Sequence, residues 1–206
     1  MSALRELVSR LDLVEDTIAL AGRSLSILRP RDAEALLDEE AFEHEEFLPY
    51  WAELWASGET LAREVAERDV AGLRVVELGC GLALPSLAAA AGGARVFATD
   101  WSPDAVELAQ QNARRNDLEL ETAIVRWSEP RALLARAPWD LVLAADVLYE
   151  RRNVDELLAL LPKLGSEVLL ADPGRPHLKT FLENAARTWQ IAQAGIVYTL
   201  AATTDA

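Results

Sequence analysis

Residues 75 to 83 read Val-Val-Glu-Leu-Gly-Cys-Gly-Leu-Ala, and a second apolar run, Arg95-Val-Phe-Ala-Thr, ends in Asp100. An apolar strand, a tight glycine turn, an Ala-rich helix and a second strand tipped with a carboxylate are how an α/β sheet grips the ribose of an adenosyl cofactor. Two kinds of cofactor loop compete here. The dinucleotide fingerprint needs glycines at relative positions one, three and six. Those positions hold Gly79, Gly81 and Leu84, so the third fails. The other spacing has an acid two residues before the first glycine and a small residue four after it, which Glu77, Gly79, Gly81 and Ala83 supply. Ala83 narrows the loop by one methyl, and it is expected to keep a negative φ.

Three further stretches carry groups able to act on whatever that loop holds. Asp140-Leu-Val-Leu-Ala-Ala-Asp-Val-Leu-Tyr149 starts as a strand too continuously apolar to be exposed on either face, and continues into a carboxylate and a phenol. Pro49-Tyr-Trp-Ala-Glu-Leu-Trp-Ala-Ser-Gly58 lies upstream of the loop, and Ala171-Asp-Pro-Gly-Arg-Pro176 lies downstream. Trp51 and Trp55 are four apart, which predicts one shared helical face and burial of both rings.

The loop resembles the first motif of the S-adenosylmethionine-dependent methyltransferases with the Rossmann-like fold. Trp-Ala-x-Leu-Trp before the loop, Asp146-Val-Leu-Tyr149 as an Asp/Glu-x-x-Tyr/Phe signature, and the segment from Ala171 to Pro176 are similar to the seven-β-strand lysine methyltransferases, the group that includes the enzyme acting on the electron-transfer flavoprotein β subunit. The Asn/Asp-Pro-Pro-aromatic turn that holds a flipped base in nucleic-acid amino methyltransferases is missing after the fourth strand. The resemblance spans residues 49 to 176 and implies S-adenosylmethionine as cofactor. It implies that Asp100 accepts from the ribose hydroxyls, that Trp101 lies against the adenine, and that Trp127 belongs to the adenine-recognising stretch after the third strand. Glu77 then organises the loop or the methionine ammonium, and small Ala145 lets the backbone approach. Trp55 closes over the cofactor while Trp51 packs, and Cys80, inside the loop, counts with these contacts. Arg126-Trp-Ser128 lacks the aspartate often found nearby, so no side-chain acceptor for the adenine amino group is identified.

Transfer of a sulfonium methyl needs a neutral nucleophile placed in line and water kept away. A lysine, with a pKa of about 10.4, must first lose a proton. The resemblance makes Asp146 and Tyr149 the catalytic pair. Asp146 holds and orients the incoming ammonium, although a carboxylate also raises an amine's pKa. Tyr149 supplies an aromatic wall or a hydroxyl, with cation–π attraction of about 0.5–2 kcal/mol. The structural alternatives are a helix N-cap for Asp146 and a core ring for Tyr149. Arg175 faces either an acidic substrate or a carboxylate of the protein itself. The implied substrate is a protein lysine, with the electron-transfer flavoprotein β subunit a candidate. A small-molecule N-methyltransferase of the nicotinamide type and a non-catalytic cofactor-binding protein are the other readings.

These groups need a scaffold, and from residue 74 onward strands and helices alternate. Strands are expected over Leu73 to Leu78, up to Thr99, over Leu120 to Val125, Asp140 to Ala145 and Glu167 to Ala171. Helices are expected from Pro85 to Gly92-Gly93, from the Ser102-Pro103 cap to Asn116, and over Leu61 to Glu67, Asn153 to Leu164 and Leu178 to Thr188. Trp189 to Ala192 and Ile196 to Leu200 flank Gly195 as a hairpin. The fold class is α/β. The resemblance implies a Rossmann-like methyltransferase fold, with a seven-stranded, mostly parallel sheet, one antiparallel strand and helices on both faces. Residues 1–48 are expected to form an N-terminal extension, with a small hairpin in Asp16 to Arg29 and an acidic helix in Arg31 to Phe47. Residues 49–206 are expected to form the methyltransferase domain.

With 206 residues, 51% of them apolar, one domain with one substantial core is the natural size. A net charge of -14, with no run of Lys or Arg, disfavours a nucleic-acid partner. Cys80 is the lone cysteine, and with His44 and His177 it makes no metal-ligand cluster. There is no bilayer-length apolar stretch and no charged-then-apolar leader, which leads to the expectation of no membrane partner and a cytoplasmic location.

Overall fold

The computed structural model describes residues 10–36 and 49–203. The acidic helix expected over Arg31 to Phe47 lies largely outside the described residues, and its first part is a single 3-10 turn, Glu34–Leu36. The first strands among the described residues form a hairpin, β1 (Leu13–Leu20) and β2 (Arg23–Pro30), as expected around Gly22. After it come α1 (Ala56–Ala66), β3 (Arg74–Leu78), α2 (Leu84–Ala91), β4 (Arg95–Asp100), α3 (Pro103–Arg115) and β5 (Glu121–Ile124). The remainder is α4 (Arg131–Leu134), β6 (Leu141–Ala145), α5 (Arg151–Leu164), β7 (Glu167–Ala171), α6 (Leu178–Ala185), β8 (Trp189–Ala194) and β9 (Val197–Ala202).

Seven strands make one sheet in the order β5-β4-β3-β6-β7-β9-β8. The strands from β3 to β7 pair in parallel, and β9 runs antiparallel to both of its neighbours. The last strand among the described residues, β9, therefore inserts one place in from the edge. Side-chain burial explains the order: Val197, Tyr198 and Leu200 of β9 are buried, whereas β8 beyond Trp189 is mostly exposed and suits an edge.

The period-two alternation of β3 divides the core. Val75 joins one apolar cluster with Leu61 and Val65 of α1, Leu87 of α2 and Leu108 of α3. Val76 and Leu78 join the cluster on the other face, with Leu157, Leu161 and Leu164 of α5 and Phe181 of α6. Burial on both faces is why β6 reads as an unbroken apolar run. The hairpin adds Ile18, Leu20, Leu25, Ile27 and Leu28 to the first cluster. Asn112 of α3 holds it there: its Oδ1 accepts from Leu28 N at 2.7 Å, and its Nδ2 donates to Leu28 O at 3.1 Å and to Leu82 O at 3.2 Å. One amide thus ties the hairpin to the end of the glycine loop.

The expected shared helical face for Trp51 and Trp55 does not form. Tyr50–Ala52 is a 3-10 turn, Glu53 is extended, and Trp55 is itself extended as the N-cap of α1. The segment is instead shaped by what it crosses, because the Trp51 carbonyl lies 3.0 Å from where a Cβ on Gly81 would stand. Trp51 still packs on the first cluster, as expected.

Candidate active site

The sheet's order turns in opposite directions on either side of β3 and β6, which opens a crevice at the carboxyl ends of those strands. The chain leaves β3 through a loop that only small residues permit. Gly79 and Gly81 have φ of 65° and 49°, and a Cβ at Gly79 would stand 3.3 Å from Val147 Cγ1 and 3.4 Å from the Trp127 ring. Ala83 also adopts the left-handed region, φ 63°, which corrects the expected negative φ. Ala83 N donates to Cys80 O at 2.7 Å while Ala83 O accepts from Leu87 N, so one residue must both close the turn and start α2. Its methyl is fully buried and the strain costs about 1–2 kcal/mol.

Carboxylates lie under and beside this loop. Asp100, at the end of β4, accepts from Gly81 N and from Ser102 N, each at 2.9 Å. With the Trp101 N–H as a third donor, the carboxylate keeps room for one further donor. Glu77 accepts from Ser86 N at 2.9 Å, so it ties the loop to the first turn of α2. Burial, reinforced by the Asp100 charge, pushes Glu77 up to about 8. Burial also raises Asp100, outweighing the backbone N–H groups of Ser102, Gly81 and Trp101 that favour its charge. The Cys80 thiol is pushed well above its ordinary value by burial and then by Asp100 and Glu77. Carboxyls raised in this way mark a place where positive charge is wanted.

Asp146 follows β6 in the left-handed region at φ 59° and is 8% exposed. Its Oδ2 accepts from Ser57 Oγ of α1 at 2.8 Å, and its Oδ1 accepts from Arg175 Nε at 2.5 Å. Helix α5 begins at Arg151 with Glu150 as N-cap, so Asp146 caps no helix there. Arg175 itself is fixed by a turn: Asp172 Oδ1 accepts from Gly174 N at 2.8 Å and from Arg175 N at 2.7 Å. Its guanidinium lies 5.3 Å from the centroid of the Trp55 ring. Tyr50 joins the same wall, with ring centroids 5.0 Å from Tyr149 and 6.5 Å from Trp55, whose Nε1 donates to Tyr50 O at 2.8 Å. Burial foremost, then Asp100 and Glu150, pushes the Tyr149 phenol up to about 12, so it stays neutral.

All the residues singled out in the sequence as catalytic or cofactor-facing line this one open cavity. Glu77, Gly79, Cys80, Gly81 and Asp100 form its floor at β3 and β4, with Trp101, Trp127 and Ala145 around them. Trp55 stands on the Asp146 and Tyr149 side. The choice left open for Arg175 falls on a carboxylate of the protein. Sequence reasoning gave no role to Ser57, Tyr50 or Asn153, whose Nδ2 donates to Val147 O at 2.8 Å in the turn after β6. Only Tyr50 carried a signal, its place in the Pro-Tyr-Trp segment; a serine in the first turn of a helix, behind a tryptophan N-cap, carries none. Among the described residues no group of three or more His, Cys, Asp or Glu is placed to hold a metal ion.

A glycine loop at the sheet's switch point, an acid closing β4 and a reversed β9 define the Rossmann-like methyltransferase fold. The chain belongs to the lysine methyltransferase family, whose model matches residues 49–186. It is 34% identical over 144 residues to the electron transfer flavoprotein beta subunit lysine methyltransferase of Xenopus laevis, covering 64% of this chain and 55% of that protein. It is also 34% identical over 96 residues to the histone-arginine methyltransferase METTL23 of Homo sapiens, covering 45% of this chain and 50% of the relative. The chain thus spans about half the length of the curated relatives it matches. Among solved structures, magnesium protoporphyrin IX methyltransferase from Synechocystis PCC 6803 with bound SAM superposes with a TM-score of 0.59 at 19% identity, over 83% of this chain and 99% of that one.

Proposed function

We propose that this chain is an S-adenosylmethionine-dependent N-methyltransferase whose acceptor is a protein lysine. The observation that carries the reading is the convergence of Glu77, Asp100 and Asp146 from the ends of β3, β4 and β6 on one cavity, with two of the three carboxyls raised by burial. A cationic cofactor and a cationic acceptor both relieve that burial. The cradle fits the cofactor: Gly79 and Gly81, both at positive φ, let the loop turn tightly beneath Trp127 and the Trp51 carbonyl at the cavity's edge, and Asp100 retains acceptor capacity for a ribose hydroxyl. When bound, S-adenosylmethionine would be held by the Gly79 to Gly81 loop and Asp100 and would supply a methyl activated on a cationic sulfur.

This chain's own residues then have three tasks. Glu77, which keeps its proton up to about 8, braces the loop through Ser86 N, and Asp100 holds Gly81 N and offers acceptor oxygens to the cofactor. Tyr149, Tyr50 and Trp55 wall the cavity and exclude water, the neutral phenol of Tyr149 being unsuited to act as a base. Asp146 orients the incoming amine through a carboxylate already aimed by Ser57. Membership of the lysine methyltransferase family and similarity to the Xenopus lysine methyltransferase support lysine as acceptor, and the electron-transfer flavoprotein β subunit is the first candidate. The Arg175 guanidinium seated on Asp146 favours arginine as the second reading, in line with the histone-arginine relative. The charge of -14 supports a protein rather than a nucleic-acid partner. No helix among the described residues is long and apolar enough to cross a membrane; with the free thiol of Cys80, this supports a cytoplasmic location.

The test is incubation with radiolabelled S-adenosylmethionine and, separately, electron-transfer flavoprotein β subunit, histones and nicotinamide. Label on a lysine is expected, falling about 100-fold in kcat/KM in Asp146→Asn. Label on arginine alone or on nicotinamide alone defeats the lysine reading. Cofactor binding with no transfer to any acceptor points instead to a binding protein.

A further inference from the structure

A carboxylate beside an acceptor lysine poses a problem: it holds the ammonium in place and, by the same attraction, keeps it protonated and unreactive. The geometry around Asp146 answers it. Arg175 Nε meets Asp146 Oδ1 at 2.5 Å, and three features keep the guanidinium there. Asp172, 1% exposed, clamps the Arg175 backbone through two N–H bonds, the Trp55 ring lies under the guanidinium, and Ser57 fixes the other carboxylate oxygen. The Arg175 side chain is 31% exposed, and it borders the same cavity as Tyr149.

We infer that Arg175 is a positioning residue that offsets the charge of Asp146, so that the pair orients an acceptor lysine while allowing its amine to be neutral. The inference rests on the lysine methyltransferase reading above. A cation close to an amine lowers the amine's pKa, and one that is itself paired does so without adding net charge to the cavity. Other charged or titratable groups border the cavity and set its background. Glu53 and Tyr50 come from the approach segment, Glu77, Cys80 and Asp100 from the loop, and Arg126 from beyond β5. Tyr149 comes from the turn before α5, and Arg152 and Glu156 from its first two turns. Tyr149 is neutral, and Arg152 Nε pairs with Glu150 at 2.6 Å, so Arg175 is the cation seen in contact with Asp146.

The experiment is a pH profile of methyl transfer to the electron-transfer flavoprotein β subunit, from about pH 6 to about pH 10, for the unaltered protein, Arg175→Gln and Arg175→Lys. Loss of the charge is expected to move the acidic limb of kcat upward by about one unit, a roughly tenfold loss near neutrality that recovers at alkaline pH. Arg175→Lys is expected to keep the limb in place, which separates charge from packing. A readout independent of turnover is calorimetry of n-butylamine binding to the S-adenosylhomocysteine complex in buffers of different ionisation enthalpy. The unaltered protein is expected to release more protons on binding than Arg175→Gln. Identical limbs or identical proton counts overturn the inference. So does an Arg175→Gln enzyme that is faster at neutral pH, which makes Arg175 a plug. No transfer by the unaltered protein, despite bound cofactor, overturns the lysine reading beneath it and the inference with it.

Discussion

Glu77 is the residue whose titration reports most directly on the site. Its carboxyl binds a proton up to about 8 in the folded chain and, with an ordinary value of 4.5, loses it earlier when unfolded. Between those values the native state holds more protons, so its contribution to stability is full below 4.5 and is lost as pH rises through about 8. Thermal melts of the cofactor-free protein are expected to show a midpoint that falls across that window, with Glu77→Gln flattening the slope; parallel slopes for the two proteins contradict it. Gly81 makes a second test at this scale. A methyl there meets the Trp51 carbonyl at 3.0 Å on a backbone with φ 49°. Gly81→Ala is therefore expected to destabilise the fold by about 1–2 kcal/mol and to weaken cofactor binding, as read by denaturant midpoint and titration.

At the scale of elements, α3 does more than cover the sheet, because Asn112 satisfies the Leu28 backbone on one side and the Leu82 carbonyl on the other. Asn112→Ala strands these buried groups, and a loss of about 2–4 kcal/mol is expected in denaturant unfolding with the m-value unchanged. A loss below about 0.5 kcal/mol sinks that assignment. Sequence made the sheet legible because apolar runs and caps such as Ser102, which accepts from Ala105 N, are local signals. It misplaced Trp51 and Trp55 because their conformation answers to a backbone some thirty residues away, the carbonyl over Gly81. Ala83 was misjudged for a related reason: its φ follows from closing a turn onto Cys80 O, a demand that no residue identity announces. The site's floor was readable from loop spacing. The Ser57–Asp146–Arg175 chain was not, since it joins α1, β6 and the turn after β7, elements whose proximity exists only once the sheet order is known.

At the scale of the molecule, we propose residues 49–206 as the catalytic unit and residues 1–48 as an extension, of which the β1–β2 hairpin covers one face of that unit. Ile18, Leu20, Leu25, Ile27 and Leu28 bury their side chains in the first apolar cluster. At about 1.5–3 kcal/mol each, they contribute on the order of a typical domain's whole stability. A chain lacking residues 1–48 is accordingly expected to lose its cooperative melt, and an unchanged transition contradicts this. The central claim is that the loop between β3 and α2 and the acids around it hold S-adenosylmethionine. Calorimetric titration of that compound into the purified protein tests it most directly. The account predicts one molecule bound per chain and a large loss of affinity in Gly81→Val; no heat of binding with folded protein, or equal affinity in the variant, contradicts it.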